Sequence, residues 1–425
     1  MSAGPSSVTA GAPLAGAQIR MVILMVALSA MSYFDRTIMS IAGPTIMQQF
    51  HISETAMGTV YSAFLLSYTL LMTPGGGLAD RFGARRLLTV TGLGTALFTG
   101  LAALGGTPGL GAIFGVVPSF LIVRLAFGAC AAPLYPSCGR ISANWIPITA
   151  QGWVQASIMG GTSLGAAISP IVFSRMMAAY GWRASFWLAA PCTAALFVAW
   201  FLVVRDHPPG AVPIRSRVAP LWRWHRLLTD RNLMLITLGY FLVNYLEYIF
   251  FYWIYYYFGQ IRRLGASESA LATTVLFLTM TVMTPLGGWI SDRLVTRYGQ
   301  KLGRRSVSMI GMTLSAVLLY LGAGGFGVVA TVALLSFALG CSTTCEGPFW
   351  ATTIEVSGSQ VGAACGILNA GGNLGGMLAP VLTPLIATRF GWTGGLYFGS
   401  FVVMLGVLTW IFIDPTKKMA EPISA

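Results

Sequence analysis

Two charged residues, Asp35 and Arg36, lie side by side within a long apolar stretch near the start of the chain. A charged side chain at membrane depth costs on the order of 3 kcal/mol or more, so it usually faces a water-filled cavity or an opposite charge. Neighbouring helical residues point about 100° apart, so these two face different directions. Tyr33 and several serines lie near the Arg36 face, and a guanidinium held by hydroxyls suits bidentate binding of a carboxylate. A structural ion pair between helices is the alternative.

A second arginine, Arg124, opens another apolar stretch, and Tyr135 follows it on the same helix face. A long arginine side chain near the end of a membrane helix can extend to the aqueous surface. Such an extension towards the outer mouth is the alternative to a functional role for this charge.

Three acidic residues in apolar surroundings are candidates to bind and release a proton: Asp35, Glu247 and Glu346. Glu247 lies in the aromatic stretch NYLEYIFFYWIYYYF, and Glu346 lies in CEGPFW. Burial favours the neutral form of a carboxyl group, which brings proton exchange closer to neutral pH. Asp35 is the first candidate, followed by Glu247 and then Glu346. The alternative for each glutamate is a hydrogen-bonded structural acid that compensates an arginine.

Hydroxyl, amide and indole groups at helical spacing could line a polar cavity. Tyr61 and Tyr68 lie seven residues apart on one helix face, so both are expected to point at the same cavity. Asn369 and Asn373 present two amides on one face, which suits a polyol or a carboxylate. Trp350, one turn beyond the glutamate of CEGPFW, could form an apolar wall. The alternatives are aromatic packing for the tyrosines and an interhelical hydrogen bond for the asparagines.

Membrane helices must position these residues, because hydrophobic residues make up 56% of the 425-residue chain and charged residues only 9%. A soluble domain carries about 25% charged residues, and a spanning helix needs roughly 20 apolar ones. The sequence therefore predicts an all-α integral membrane protein with twelve transmembrane helices. The predicted spans cover about 21–43, 56–79, 86–106, 112–138, 150–175, 183–204, 233–258, 269–292, 305–323, 326–350, 360–387 and 392–413.

Two related loops divide the chain into pseudo-symmetric six-helix bundles. Residues 76–86 read GGLADRFGARR and residues 287–305 read GGWISDRLVTRYGQKLGRR, so that Asp80 and Asp292 lie 212 positions apart. Such an internal duplication is typical of carriers built from repeats. The loop residues are expected to form gate pairs between helix ends on the cytoplasmic side. The predicted cytoplasmic gate consists of Asp80, Arg81, Arg85, Arg86, Asp292 and Arg293.

The basic residues predict the orientation of the chain. Eighteen Lys and Arg residues lie on the side of the termini and five on the opposite side, so the termini should be cytoplasmic. The expected organisation is a flexible cytoplasmic leader (1–19), an N-terminal six-helix bundle (20–204), a cytoplasmic linker (205–232), a C-terminal six-helix bundle (233–413) and a cytoplasmic tail (414–425). The leader lacks the apolar core of a signal peptide.

Composition argues against several other classes of protein. The net charge of +13 is explained by the loops, so no nucleic-acid partner is expected. The six cysteines lie in apolar stretches without CxxC or metal-ligand spacing, and no metal site is predicted. Neither a Walker motif nor a catalytic grouping is present in the sequence, so neither a cofactor nor an enzymatic activity is expected.

The loop GGLADRFGARR resembles the loop motif of the major facilitator superfamily, Gly-x-Leu-Ala-Asp-Arg-x-Gly-x-Arg-Arg, and the second loop resembles its degenerate partner. Four further stretches resemble the anion:cation symporter family: YFDRTIMSIAGPTI, RLAFGACAAPLYP, FFYWIYYYFGQIRRLG and EGPFWATTIEVSGSQVGAACGILNAGGNLGG. That family includes bacterial hexonate, hexuronate, glucarate and phthalate-type carriers, and vesicular and lysosomal organic-anion transporters. The similarity covers almost the whole chain beyond the leader.

The resemblance implies the major facilitator fold and a secondary active transporter for a small organic anion, such as a sugar acid, by proton-coupled symport. It implies a substrate-binding arginine at Arg36, a second anion contact or gate at Arg124 and a substrate-contacting tyrosine at Tyr68. Ala131 replaces the family's coupling glutamate, so an organic-anion uniporter or exchanger without proton coupling is the alternative. The expected partners are the anion, protons and the lipid bilayer, for a monomer in the bacterial inner membrane.

Overall fold

The computed structural model describes residues 16–146, 148–208, 227–357 and 361–418, and most of them are helical. The α-helices are α1 (Gly16–Phe50), α2 (Glu54–Phe82), α3 (Ala84–Leu101), α4 (Pro108–Phe114), α5 (Val116–Ala131), α6 (Leu134–Trp145), α7 (Ile148–Val203), α8 (Arg231–Tyr256), α9 (Ala266–Ala323), α10 (Val328–Thr343), α11 (Glu346–Val356) and α12 (Val361–Phe412). A 3-10 turn at Ala102–Leu104 follows α3, and a π-helical turn at Tyr257–Ile261 follows α8.

Three parts of the expected organisation fall partly outside the described residues. These parts are residues 1–15 of the leader, 209–226 of the linker and 419–425 of the tail. The first helix begins at Gly16, inside the segment that was expected to be a flexible leader.

Glycines divide the longest helices. Within the described residues, nine helical segments are long and apolar enough to cross a bilayer. Three of them contain a glycine with positive φ, namely Gly181 at 76°, Gly299 at 82° and Gly391 at 70°. Residues with a side chain rarely adopt this conformation, so the chain can change direction there. Division at these glycines gives twelve segments, which is the number expected from the sequence.

Side-chain caps fix where two of the helices begin. The hydroxyl of Ser53 accepts a hydrogen bond from the backbone N–H of Ala56 at 3.2 Å, and α2 begins immediately afterwards. The carboxylate of Asp230 does the same for Leu233 at 2.8 Å at the start of α8. Such caps satisfy backbone N–H groups that have no partner inside the helix.

Hydrogen bonds at one face of the molecule hold together the helix ends nearest to the termini. Gln18 donates to the carbonyl of Trp145 at 2.7 Å, and the Trp145 indole donates to the carbonyl of Arg205 at 2.7 Å. In the other half, Asn232 donates to the carbonyl of Asp414 at 2.8 Å. We call this face the terminal side, and the opposite face, which holds the turn between α1 and α2, the distal side.

The two halves of the chain, α1–α7 and α8–α12, pack against each other through α2 with α12 and α7 with α9. The hydroxyl of Ser62 donates to the carbonyl of Met377 at 2.6 Å, and the hydroxyl of Thr274 donates to the carbonyl of Ala167 at 2.9 Å. Gly58 allows the closest approach, because a Cβ there would overlap the carbonyl of Pro380. The buried apolar core continues across this interface.

Candidate substrate-binding site

The guanidinium of Arg36 lies at the interface between the two halves. The residue is only 6% exposed. Its Nη2 donates to the hydroxyl of Tyr248 on α8 at 2.5 Å, whereas its Nε has no hydrogen-bond partner among the described residues. A buried donor without a partner costs about 1–3 kcal/mol, so this edge of the guanidinium is suited to a ligand.

Aromatic rings surround the Arg36 guanidinium. Its central carbon lies 5.1 Å from the ring centre of Tyr33, 4.8 Å from that of Phe64 and 4.9 Å from that of Tyr248. The ring of Tyr68 lies 6.0 Å away and stacks on Phe64. Cation–π contacts favour the charge at this depth, but they leave the in-plane N–H groups free to bind an anion.

A chain of hydrogen bonds links Arg36 to two asparagines of α12. The hydroxyl of Tyr248 donates to Oδ1 of Asn373 at 3.2 Å. The amide of Asn373 donates to the carbonyl and the Oδ1 of Asn369 at 3.0 and 3.2 Å. The Asn369 amide in turn reaches the sulfur of Met72 on α2 at 3.1 Å. Four helices, α1, α8, α12 and α2, therefore meet in one polar chain.

A cavity of about 200 Å³ lies at the end of this chain. It extends between the two halves from the two asparagines towards the terminal-side ends of α2, α6 and α12. The hydroxyl of Thr69, which faces it, is buried without a hydrogen-bond partner among the described residues. The cavity is lined by Thr69, Met72, Gly76, Pro136, Gly366, Asn369, Ala370 and Asn373.

Arg124 lies inside the N-terminal half rather than at an aqueous surface. It is 4% exposed, and its guanidinium carbon lies 5.0 Å from the ring centre of Phe64 and 5.1 Å from that of Phe127. The ring of Phe64 therefore contacts the guanidinium groups of both Arg36 and Arg124. Neither Nε nor Nη2 of Arg124 has a hydrogen-bond partner among the described residues. Extension of this side chain to the outer mouth, the alternative considered from the sequence, is therefore wrong, because Arg124 packs inward against these two rings.

Asp35 faces the interior of the N-terminal half, away from Arg36. Its Oδ2 accepts a hydrogen bond from the hydroxyl of Thr193 on α7 at 2.8 Å, and its Oδ1 has no partner among the described residues. A small void of about 10 Å³ adjoins it and is also lined by Ala131, Ser32 and Thr95. This volume is close to the minimum that holds one water molecule.

Glu247 and Glu346 belong to a second polar cluster, in the C-terminal half. Oε1 of Glu247 accepts from the hydroxyl of Ser342 at 3.3 Å, and Oε2 of Glu346 accepts from the hydroxyl of Tyr240 at 2.8 Å. The indole of Trp350 donates to the same tyrosine at 3.2 Å. Trp350 therefore binds this cluster and does not line the cavity that contains the asparagines.

Tyr61 does not share a cavity with Tyr68, which differs from the expectation. Its ring stacks on Tyr252 at 5.0 Å and contacts Trp253 edge-on at 5.5 Å, and it is 1% exposed. Seven residues correspond to about 10 Å along a helix. Tyr61 consequently lies in the closely packed distal part, while Tyr68 lies beside Arg36.

In the N-terminal half, Arg81 and Arg85 of the predicted gate contact residues of their own half. The backbone N–H of Arg85 donates to Asp206 at 2.8 Å, and its Nε donates to a carbonyl near the end of α7 at 2.9 Å. Arg81 lies over the ring of its neighbouring phenylalanine at 5.4 Å, and Arg86 is exposed. The side chain of Asp80 lies outside the part of the chain that the structure describes.

In the C-terminal half, Asp292 forms an ion pair with Arg304, which is not one of the predicted gate residues. Arg304 donates to Asp292 and to Glu355 at 2.7 Å each, and to Ser291 at 2.9 Å. Arg293 is exposed and lies 4.6 Å from the ring centre of a tryptophan of α9. Among the described residues, Asp292 is therefore part of a network within the C-terminal half, and no hydrogen bond or ion pair joins it to the N-terminal half.

The distal side is closed by contacts that the sequence did not reveal. The hydroxyl of Tyr256 and the indole of Trp392, both in the C-terminal half, donate to the carboxylate of Glu54 at the start of α2. Gln48 donates to Gln260 at 3.2 Å beside them. These contacts close the distal side, and the cavity of about 200 Å³ lies on the terminal side of them.

Sequence reasoning also missed Tyr248, Phe64 and Thr69 as site residues. Tyr248 connects Arg36 to Asn373, and Phe64 lies between the environments of the two arginines. One signal could have identified Tyr248: it lies 212 positions after Arg36, the spacing that relates the two loop motifs.

Comparison with known proteins defines the class. Residues 25–298 and 294–424 match the sequence model of the Major Facilitator Superfamily, and the chain belongs to this family. It is a multi-pass membrane transporter and not an enzyme. Among solved structures, it is similar to a bacterial homologue of the human lysosomal transporter Spinster in an inward-facing, occupied conformation. The TM-score is 0.79 at 12% identity, over 96% of this chain and 100% of that one, which confirms the expected fold.

Two transporters are similar in sequence to this chain over more than nine-tenths of its length. The chain is 27% identical to the hexuronate transporter of Bacillus subtilis, over 94% of this chain and 95% of that protein. It is 25% identical to a probable sulfoacetate transporter of Cupriavidus necator, over 92% of each.

Proposed function

We propose that this chain is a secondary active transporter that carries a small organic anion, a sugar acid or another carboxylate, by alternating access. The observation that carries the proposal is the guanidinium of Arg36. It is buried at the interface of the two halves, has a vacant Nε, and is linked through Tyr248 and Asn373 to the cavity. A guanidinium in such surroundings binds carboxylates through charge-assisted hydrogen bonds.

The chemistry of the named relatives supports an organic acid. Hexuronate and sulfoacetate both contain a carboxylate. The cavity also favours a small solute, since its volume of about 200 Å³ lies below the roughly 300–1,000 Å³ of sites for drug-sized ligands. In this proposal Arg36, Tyr33 and Tyr68 form one end of the site and Asn369 and Asn373 the other, with Arg124 beside them.

Alternating access would exchange the closed distal side and the open terminal side. The Glu54 contacts would break, and the gate residues of the two related loops would approach each other. The eighteen basic residues that the sequence assigns to the side of the termini support a cytoplasmic location for this side, in a bacterial inner membrane. Both halves of the site lie in one chain, which supports function as a monomer.

We further propose that transport is coupled to protons. Asp35 is the first candidate for the coupling acid, because its Oδ1 is buried, has no partner and adjoins the void beside Ala131. Glu247 and Glu346 follow. Proton movement during substrate uptake can be measured with a pH-sensitive dye inside proteoliposomes. Asp35→Asn is expected to abolish this proton movement. If Glu247 or Glu346 is the coupling acid instead, Glu247→Gln or Glu346→Gln abolishes it and Asp35→Asn does not.

The second candidate function is anion uniport or exchange without protons. Ala131 favours it, since the wall of the void opposite Asp35 carries a methyl group and no acid. Substrate uptake with an unchanged internal pH at every external pH would establish this alternative.

Purified protein tests the main proposal directly. A thermal-shift screen against sugar acids and aromatic acids should find a carboxylate that raises the melting temperature of the wild type. Arg36→Ala should remove that shift and lower uptake into proteoliposomes at least about tenfold, since a hydrogen bond to a charged group contributes about 1.5–3 kcal/mol. Arg36→Lys should recover it only in part, because lysine lacks the planar pair of donors.

Arg389→Ala is the matched control, since Arg389 is exposed on the distal side and the same charge is removed. It should bind and transport as the wild type does. Retained binding and uptake of the same carboxylate by Arg36→Ala would refute the proposed role of this site.

A further inference from the structure

The hydroxyl of Thr69 faces the cavity of about 200 Å³ and takes no part in the chain of hydrogen bonds that starts at Arg36. Threonines inside helices often donate to a backbone carbonyl of the preceding turn, as Thr59 does to Ala56 at 2.6 Å. Thr69 lies on the same helix, but its hydroxyl is buried and has no partner among the described residues. Because a buried hydroxyl without a partner is unfavourable, this group is suited to a solute atom in the cavity.

Asn369 presents its amide to the same cavity from α12, in the other half of the molecule. Its Nδ2 donates to the sulfur of Met72 at 3.1 Å, and a thioether is a weak acceptor. Met72 lies three residues after Thr69, on the same face of α2. A hydroxyl oxygen in the cavity is a better acceptor than this sulfur, so a solute can take over the amide N–H without the loss of a strong hydrogen bond.

The wall of the cavity is neutral. In the described part of the chain, every residue that lines it carries an apolar group, a hydroxyl or an amide. A charged end of a solute would lose water there and would gain no opposite charge in exchange, which is unfavourable. A solute hydroxyl has both a donor and acceptor positions, so it can accept from Asn369 while it donates to Thr69. This wall therefore fits an uncharged end that bears hydroxyl groups.

We propose that this cavity is the subsite for an uncharged, hydroxyl-bearing end of the anion, and that Thr69 is its specificity-determining residue. The inference rests on the proposed function, because the other end of the same anion carries the carboxylate that Arg36 binds. A hydroxyl of the solute accepts the amide N–H of Asn369 in place of the Met72 sulfur. The same hydroxyl donates to the oxygen of Thr69, so both walls of the cavity contact one group.

The test uses three acids with carbon chains of the same length. D-gluconate has one carboxylate and a hydroxylated chain, hexanoate has the carboxylate without hydroxyls, and D-glucarate has a second carboxylate in place of the terminal hydroxyl. Binding of each to the full-length protein is measured by isothermal titration calorimetry. The wild type should bind D-gluconate about tenfold more tightly than either of the other acids, because only D-gluconate offers an uncharged hydroxylated end.

Two variants test the two groups of α2. Thr69→Val keeps the shape of the side chain and removes its hydroxyl, so it should weaken the binding of D-gluconate about three- to tenfold and leave that of hexanoate unchanged. Its melting temperature without ligand should not fall, since the hydroxyl has no protein partner to lose; a purely structural role would lower it. Met72→Leu removes the competing sulfur, so it should bind D-gluconate at least as tightly as the wild type does.

Thr59→Val is the matched control, because it makes the same change on the same helix at a hydroxyl that is bonded to its own backbone and does not line the cavity. It should change the binding of none of the three acids.

The possible failures are distinguishable. If the wild type does not prefer D-gluconate, or if Thr69→Val changes the binding of D-gluconate and hexanoate by the same factor, the subsite inference is wrong while the organic-anion transporter remains. If neither these acids nor any other carboxylate binds to the wild type, the proposed function itself is wrong.

Discussion

Arg36 and Tyr248 lie 212 positions apart in the chain, and their side chains are joined by a hydrogen bond across the interface of the two halves. The same spacing separates Gln48 from Gln260, which are also hydrogen-bonded to each other. Equivalent positions of a duplicated chain meet where the pseudo-two-fold axis passes between the halves. An arginine on one side and a tyrosine on the other make this pair chemically asymmetric.

The neighbouring positions follow the same relationship. Asp35 and Glu247 are also 212 positions apart, and each accepts a hydrogen bond from a hydroxyl of another helix in its own half. The duplication therefore preserves an acid that faces inward in each half, next to a residue that faces the other half.

Tyr248→Phe is expected to increase the stabilisation of the protein by its ligand. The variant leaves Nη2 of Arg36 buried without a partner, which should lower stability by about 1–3 kcal/mol. A carboxylate that binds there satisfies this donor, so the ligand-induced rise in melting temperature should exceed that of the wild type. Tyr245→Phe is the control, because the Tyr245 hydroxyl contacts Thr383 and not Arg36. An equal ligand-induced shift in Tyr248→Phe and wild type would contradict this prediction.

Asn373→Asp is expected to inhibit anion binding. The new carboxylate would face the cavity at the end of the chain that begins at Arg36, where it repels an anion and competes for the guanidinium. The apparent KM for uptake should rise more than about tenfold, which corresponds to roughly 1.4 kcal/mol. Asn373→Ser, which keeps a neutral polar group, should have a smaller effect. A KM within twofold of the wild type in Asn373→Asp would show that this face does not contact substrate.

Glu54→Ala is expected to open the distal side. Without the carboxylate, Tyr256 and Trp392 lose their common acceptor, and the contact between α2 and the C-terminal half weakens. A cysteine introduced at Tyr61, which is buried on the distal side, should then react faster with a membrane-impermeant thiol reagent added from that side. Glu268→Ala removes an acid that caps α9 within the C-terminal half, and it should leave the labelling rate unchanged. Identical rates in both variants would show that the Glu54 contacts do not hold the distal side closed.

Arg304→Ala is expected to lower the melting temperature without changing substrate preference. Its side chain is 8% exposed and binds Glu355, which is 21% exposed, whereas Asp292 is 72% exposed and adds little. Removal of the guanidinium leaves a largely buried carboxylate without its partner, and we expect a loss of about 2 kcal/mol. Arg297→Ala, an exposed residue of the same helix, should be neutral. Thermal unfolding in detergent measures both, and equal melting temperatures would contradict the prediction.

The sequence alone determined the features that depend on local composition. Apolar stretches and their breaks predicted the membrane helices, because a spanning segment must be apolar along its own length. The duplicated loops predicted the two halves, and charges within apolar stretches identified Arg36, Arg124 and Asp35 as unusual residues. These are properties of short windows of sequence, and no long-range contact is needed to recognise them.

Tertiary structure alone decided what each of these side chains contacts. Helix tilt and rotation are set by packing, so residues on one face, such as Tyr61 and Tyr68, can end in different environments. The partner of Arg36 lies more than 200 positions away, and Arg124 turned inward to a ring that Arg36 also contacts. Asp292 paired with Arg304 for the same reason, since the meeting of distant helices is fixed by the packing of the whole chain and not by any single segment.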